Sequence, residues 1–236
     1  MLFDTHTHAD YSCDAEQTIQ DAAAAARAQG IGIILTEHWD RYYPTNPAMF
    51  LFDIDDYFKK DGPYRSSQVL LGIEVGLQPR AIEEDRKMVQ AHPFDEVVGS
   101  MHCFDGLDMY EPTTYEGLTK DQAVRRYLED SVRCLERKPD FDSYGHIDYI
   151  CRYMPYPDPN LYYEDHPDLW DRVFRLLIAE DKALEINTRR LGDDSVIPPL
   201  LKLYKRFREL GGRYATLGSD AHYKEHVGRD FAKGEQ

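Results

Sequence analysis

The sequence predicts an α/β fold in which parallel strands, each followed by a helix, close into a barrel. Two observations predict it. First, clusters of histidine and carboxylate residues follow apolar runs along the whole chain: His6-Thr7-His8 after LFDT, Glu37-His38 after IGIILT, Glu74 after VLLGI, His102 after EVVGS, His146-Ile147-Asp148 after DSYG, and Asp220-Ala221-His222 after RYATLGS. Strands that each end in a polar, metal-binding residue type are how a parallel barrel gathers distant side chains at one mouth. Second, strand-like and helix-like segments alternate to the end of the chain, as right-handed βα units do.

The elements follow in order. Residues 2–5 read as a short apolar strand, and the alanine-rich 17–29 as a helix stopped by Gly30. Residues 31–36 are a continuous apolar run, as expected of a strand covered on both faces. The third strand, VLLGIEVG, is interrupted by Glu74. Residues 79–91 read as a helix with Pro79 near its start and Glu83, Glu84 and Asp85 in the early turns. Strand 96–101 precedes a helix at 119–137, strand 143–147 a helix at about 167–181, and strand 183–187 a helix at 197–210 that runs into Gly211-Gly212; 213–218 is the last strand. Seven strands in this pattern favour one barrel over two units, so residues 1–236 are expected to form a single domain. Three long connections, 39–67, 103–118 and 149–166, are rich in aromatic residues and follow strands that end in candidate ligands. Long loops in compact domains are usually functional or disordered, and aromatic content argues against disorder, so these should wall the same mouth.

The formal net charge of −15 argues against a general nucleic-acid binder, which would show a basic face. Part of that charge is expected to be concentrated in a cation site. Cys13, Cys103, Cys134 and Cys151 form no C-x-x-C pair. With no apolar leader and no run long enough to span a bilayer, the expectation is a cytoplasmic protein with reduced thiols and no membrane partner.

His6 and His8 stand two apart on a strand and so point to one face, as do Asp220 and His222 at the last strand. In a closed barrel the first and last strands are neighbours, which makes these four groups one cluster. Glu74 inside an apolar run would be costly to bury unless paired or bound to a cation, and is the candidate bridge between ions. His38, His102 and His146 each end a strand, and Asp14 lies in the loop after His8. The candidate ligands are therefore His6, His8, Asp14, His38, Glu74, His102, His146, Asp220 and His222, with Glu74, His102, Asp220 and His222 expected to carry the catalysis. Such a mixed set suits two or three Zn²⁺, Mn²⁺ or Fe²⁺ ions rather than Ca²⁺ or Mg²⁺. Glu37 and Asp148 are candidate partners that orient histidines or else ordinary loop carboxylates, Asp4 a structural or orienting one; His92, His166 and His226 read as surface or cap residues.

These clusters together resemble the PHP (polymerase and histidinol phosphatase) superfamily. The matching segments are DTHTHADYSCD (4–14), LTEH (35–38), GIE (72–74), VGSMH (98–102), GHID (145–148), EIN (185–187) and GSDAH (218–222), and they are most similar to those of the stand-alone histidinol-phosphate phosphatases of histidine biosynthesis. The resemblance implies a distorted (β/α)7 barrel with a trinuclear metal site at the C-terminal ends of the strands. It groups His6, His8, Glu74 and Asp220 on one ion, Glu74 with His102 and His146 on a second, and Asp14, His38 and His222 on a third. Family members usually continue beyond the D-x-H segment with a helix and a further apolar stretch. About a dozen polar residues follow His222 here, so either a shorter closing element or a truncated chain is expected.

The activity implied is hydrolysis of a phosphate monoester, with L-histidinol phosphate the leading substrate and metal-activated hydroxide attacking phosphorus. Arg152 and Arg189, with Arg190 as the alternative, are the candidates to hold phosphoryl oxygens, because the planar guanidinium fork fits phosphate. The rival activities are a phosphoesterase acting on nucleotides or other small phosphate esters, and a metal-binding module without catalysis. An amidohydrolase would bring a metal-bridging lysine at a middle strand end, and none of the strand ends offers one. Oligomeric state leaves no mark in the sequence.

Overall fold

A computed structural model describes residues 1–235. Its strands are β1 (Phe3–Thr7), β2 (Gly32–Trp39), β3 (Val69–Gly76), β4 (Val97–Ser100), β5 (Cys103–Phe104), β6 (Leu107–Asp108), β7 (Ser143–Tyr144), β8 (Ala183–Asn187) and β9 (Ala215–Gly218). Its α-helices are α1 (Ile19–Gln29), α2 (Ile54–Asp61), α3 (Ile82–Ala91), α4 (Lys120–Leu135), α5 (Pro167–Ala179), α6 (Ile197–Glu209) and α7 (Phe231–Gly234). Seven strands form one parallel sheet in the order β1-β2-β3-β4-β7-β8-β9. The sheet curls into a nearly closed barrel. Its two edges meet at a single parallel bridge, Thr7 with Ala221, where Asp220 N–H donates to His6 O (2.8 Å) and His8 N–H donates to Ala221 O (2.9 Å). The seam therefore closes at the residues that carry both the H-x-H and the D-x-H pairs.

Local chemistry explains the element ends. Thr18 caps α1 in a reciprocal capping box with Asp21, and Gly30 ends it in the left-handed conformation (φ 73°). Thr119 and Gln122 form the same box on α4. Strand β2 is buried along its entire length, as its unbroken apolar run requires. Behind the strands, α4, α5 and α6 bury Leu128, Val132, Trp170, Phe174, Leu177, Leu203 and Phe207 in the larger core cluster. A second cluster joins α1 to β2 and β3 through Ile19, Ala22, Ala26, Ile33, Leu35 and Leu71, and also takes Phe231 of α7. The element after the last strand is thus short, one turn anchored by one aromatic ring.

Several expected boundaries shift. The strand expected at 143–147 pairs only over Ser143–Tyr144; Gly145 N–H still donates to Gly99 O (3.0 Å), and the backbone there lies so close to β4 that a Cβ would sit 2.2 Å from Ser100 Oγ. At the next residue His146 N–H leaves the ladder and donates to a side chain of β8, Glu185. The 39–67 connection holds helix α2, capped by Asp53, whose side chain accepts from Asp56 N–H. The 103–118 connection holds the antiparallel hairpin β5–β6. Among the described residues no helix is long and apolar enough to cross a membrane.

Candidate active site

The C-terminal ends of the strands bring eight of the nine candidate ligands together as buried side chains: His6 and His8 from β1 and the residue after it, His38 from β2, Glu74 from β3, His102 and His146 just past β4 and β7, and Asp220 and His222 just past β9. Asp14, on the loop before α1, is partly exposed and completes the set. Glu74 is the centre. Its Oε1 lies 3.2 Å from His6 Nε2, 3.3 Å from His102 Nε2 and 2.8 Å from His146 Nε2. Its Oε2 lies 3.6 Å from His8 Nε2 and 2.8 Å from His38 Nδ1. Asp220 Oδ1 lies 3.3 Å from His8 Nε2 and 3.9 Å from His6 Nε2. At the outer edge, Asp14 Oδ2 lies 3.5 Å from His38 Nε2 and 3.3 Å from His222 Nε2, and those two nitrogens are 3.3 Å apart.

A second layer fixes the imidazoles from behind. His6 Nδ1–H donates to Glu185 Oε1 (2.7 Å) and His102 Nδ1–H donates to Asp40 Oδ1 (2.8 Å). His8 Nδ1–H donates to Ser12 Oγ (3.0 Å), whose own hydroxyl donates to Glu37 Oε2 (2.5 Å). His222 Nδ1–H donates to Asp220 O (3.0 Å). Each of these bonds places the ring proton on Nδ1 and leaves the Nε2 lone pair facing inward. The consequence is visible in the polar groups left over. His6 Nε2, His8 Nε2, His102 Nε2 and Glu74 Oε2 are buried without a hydrogen-bond partner. Buried polar atoms are seldom orphaned, and lone pairs converging on a carboxylate suit a cation and little else. Three triads have donor atoms mutually within 4.8 Å: His6-His8-Glu74, His38-Glu74-His102 and His8-His38-His222. The residues present therefore fit divalent metal ions.

Electrostatics says the same. Without a metal, protons must answer the buried negative charge. Burial alone would depress the His6 pKa, yet Glu185 and Glu74 hold it well above the imidazole range. His38 is likewise raised by Glu74 and Asp14, and His102 is raised to about 10 by Asp40 and Glu74, in both cases against burial. His8 goes the other way: burial first, then the neighbouring His38 and His222, push it well below its usual value. A neutral His8 is already in the form a metal needs.

A small inner cavity of about 40 Å³ opens on this cluster, lined by His38, His102, His146, Arg152, Arg189 and Asp220 among others. The Arg152 side chain is 7% exposed, its Nη1 donating to Asp220 Oδ2 (2.5 Å) and its Nη2 to Asn187 Oδ1 (3.2 Å). Its Nε has no partner. Arg189 Nη1 donates to Asp220 Oδ2 (3.3 Å). Arg190, the expected alternative, is not at the cavity: its guanidinium donates to Asp148 (3.0 Å) and Asn160 (2.9 Å), because consecutive residues past β8 point apart. Asp148 is thus occupied by an arginine rather than by a histidine, and Glu37 acts on His8 only through Ser12. Asp4 is structural, accepting from Ser219 N–H (2.8 Å) and Gly228 N–H (2.8 Å) at the barrel seam. His166, expected at the surface or as a cap, occupies the N-cap position of α5; it is buried and makes no side-chain capping bond. The sequence reading passed over Glu185, Asp40 and Ser12. Glu185 carried a usable signal, since it interrupts the apolar run ALEIN as Glu74 interrupts VLLGIEVG.

Comparison with known proteins places this arrangement. The PHP domain family profile matches residues 4–189. A probable histidinol-phosphatase of Clostridium acetobutylicum is 42% identical over 231 residues, covering 98% of this chain and 90% of that protein. The histidinol-phosphatase of Lactococcus lactis is 30% identical over 226 residues, covering 93% and 83%. The crystal structure of the histidinol phosphate phosphatase from Lactococcus lactis, complexed with zinc, L-histidinol and phosphate, superposes with a TM-score of 0.90 at 29% identity, covering 99% of this chain and 90% of that one. A putative histidinol phosphatase of Listeria monocytogenes shares the fold, with a TM-score of 0.77 at 20% identity. The strand-end histidines, the carboxylate at their centre and these relatives over nearly the whole length lead to one assignment: the chain belongs to the PHP family, as a member of its histidinol-phosphatase type.

Proposed function

We propose that this chain is a metal-dependent phosphate monoester hydrolase that converts L-histidinol phosphate and water to L-histidinol and phosphate. The observation that carries the reading is the set of orphaned, inward-facing histidine nitrogens around Glu74, with two arginines at the edge of the same cavity. The Lactococcus lactis relative, solved with zinc, L-histidinol and phosphate, supports the substrate and the metal.

Two or three divalent transition ions, Zn, Mn or Fe, are assigned to this cluster. In this reading His6, His8, Glu74 and Asp220 would hold one, Glu74 with His102 and His146 a second, and Asp14, His38 and His222 a third. Bound there, the ions supply Lewis acidity and a nucleophilic water of lowered pKa. The chain's own residues do the rest. Arg152 offers its unpartnered Nε–H, and Arg189 a half-exposed guanidinium, to phosphoryl oxygens. Glu185, Asp40 and Ser12 hold a ring proton of His6, His102 and His8 at Nδ1, so that the nitrogen aimed at the cluster, and open to a metal in the neutral ring, is Nε2. The four free cysteines fit a reducing compartment, and a cytoplasmic site of action is part of the proposal. So is a single domain over residues 1–236.

The test is a phosphate-release screen over a panel of monoesters, including nucleotides, with Zn²⁺, Mn²⁺ or Fe²⁺ supplied. Turnover of L-histidinol phosphate well ahead of the others is expected. Equal, feeble release from every compound, or faster turnover of a nucleotide, would refute the assignment.

A further inference from the structure

The hydrogen bonds that hold the imidazoles from behind leave one ring out. His6, His8, His102 and His222 each have an acceptor at Nδ1, but among the described residues His146 Nδ1 is buried with no partner. Its Nε2 still lies 2.8 Å from Glu74 Oε1, as close to that carboxylate as any histidine nitrogen comes. Something other than a hydrogen bond sets the plane of this ring.

The ring of Tyr149 packs against it. Their centroids are 4.9 Å apart with the planes 33° from parallel, and the same tyrosine ring lies 4.8 Å from that of His102. Arg152 rests on it too, the guanidinium carbon 5.1 Å from the ring centroid. Local backbone geometry explains the three contacts. Tyr149–Arg152 is one turn of 3₁₀ helix, in which side chains at i and i+3 eclipse, and Tyr149 N–H donates to His146 O (3.0 Å) as the chain enters it. His146, Tyr149 and Arg152 therefore stand three apart along one local coil, and they stack as imidazole, phenol ring and guanidinium. Tyr153 closes edge-on against Tyr149 at 5.2 Å and limits its freedom to turn. All of these contacts are made by the ring and none by the hydroxyl. An aromatic face holds flat rings by dispersion and a guanidinium by its quadrupole.

We infer that Tyr149 is a positioning residue: its ring backs His146 and His102 and carries Arg152, so that one side chain sets both the hold on the ion assigned to Glu74, His102 and His146 and the aim of the guanidinium at the phosphoryl group. This rests on the phosphatase reading above and adds to it a residue that acts only through its neighbours. A residue of this kind serves every phosphate ester alike, because the metal and the phosphoryl group are common to all of them.

The experiment compares the wild type with Tyr149→Phe and Tyr149→Leu. Zinc affinity is measured by competition with a chromogenic chelator, and KM and kcat, with zinc in excess, on L-histidinol phosphate and p-nitrophenyl phosphate. Phenylalanine keeps the face, and Y149F should stay within about 2-fold of the wild type in every value. Y149L should lower zinc affinity by about 10-fold or more, the size of lost support behind a metal-binding histidine. It should also raise KM by about 2- to 30-fold, the worth of the lost cation–π contact, and by the same factor for both esters. Should circular dichroism show Y149L unfolded, Tyr149→Met, which fills the space without a planar face, takes its place. Wild-type zinc affinity in the folded variant, a loss in Y149F equal to that in Y149L, or a KM effect confined to one ester overturns the Tyr149 proposal and leaves the phosphatase assignment intact. A wild type that binds zinc and hydrolyses neither ester overturns the phosphatase reading, and the zinc competition then decides by itself whether Tyr149 backs the histidines.

Discussion

Replacing Glu185 by glutamine should weaken the hold on metal without disturbing the fold. Glu185 Oε1 accepts from His6 Nδ1–H (2.7 Å), and Oε2 accepts from His146 N–H (2.5 Å) and from Asn187 Nδ2–H (3.2 Å). Both oxygens face donors, and a glutamine has one carbonyl for the two sides. If the carbonyl stays on His146 N–H, the new amide NH₂ faces His6. That ring keeps its contact only by accepting at Nδ1, which moves its proton to Nε2, the nitrogen aimed at Glu74. If the amide turns the other way, a buried backbone N–H loses its acceptor, at a cost of about 1–3 kcal/mol. Partners behind metal-binding histidines are typically worth about 10–100-fold in affinity, or about 1.4–2.8 kcal/mol. The assay is competition for Zn²⁺ against a chromogenic chelator, with circular dichroism to follow the fold. Native circular dichroism with zinc affinity reduced by about 10-fold or more is the expected outcome. Wild-type affinity in a folded E185Q would show that the orientation of His6 does not matter, and the account of how the cluster is built would fall.

Three further outcomes follow from the same geometry. His102→Ala should abolish phosphate release, by more than about 100-fold, since the partners behind such histidines alone account for about 10–100-fold; a folded H102A with retained turnover would remove that residue from the mechanism. Stripping the metal should lower Tm, and by more at higher pH. The His102 pKa, raised to about 10 over burial by Asp40 and Glu74, gives stability that is complete below about pH 6.5 and lost as pH rises through 10, so differential scanning at pH 6, 8 and 9.5 should show the gap between loaded and stripped protein widening. Glu96, pushed up to about 7 by burial, contributes stability present below about pH 4.5 and lost as pH rises through 7. Glu96→Gln, keeping the acceptor for the Ser143 hydroxyl, should therefore gain about 1–3 kcal/mol on the wild type at pH 8 and nothing near pH 4.5, measured by urea unfolding at the two pH values.

The barrel was legible because six of its seven strands are apolar runs that lead into a histidine or a carboxylate. Eight of the nine candidate ligands were legible for the same reason, Asp14 came from the loop after His8, and the structure brings all nine to one mouth. What escaped was set by tertiary context. Asp40 follows His38-Trp39 in a loop and means nothing until the barrel brings it against His102 Nδ1. Arg189 and Arg190 look equivalent in sequence, and only the path of the chain past β8 sends one to Asp220 and the other to Asp148. Helix α2 was readable and missed: Asp53 is a capping residue, and Ile54, Tyr57 and Phe58 recur at helical spacing, but the aromatic density of the segment drew attention to the wall it forms. Glu185 was readable too, by the argument that selected Glu74.

Asp220 shows why closure of the barrel and assembly of the site are one event. Its backbone sits at φ 53°, a conformation aspartate tolerates better than most residues, and its N–H donates to His6 O across the seam. From that fixed point the carboxylate divides its two oxygens. Oδ1 turns to His8 and His6, and Oδ2 turns to Arg152 and Arg189. The arginines are thus held beside the metal cluster by one of the residues proposed to ligate it. A cation held at Oδ1 would draw charge from Oδ2 and weaken its grip on two guanidinium groups, which would leave their N–H donors free for phosphoryl oxygens at the same cavity. Loading with metal and readiness for phosphate would in this way be coupled through a single carboxylate, at the place where the first and last strands meet.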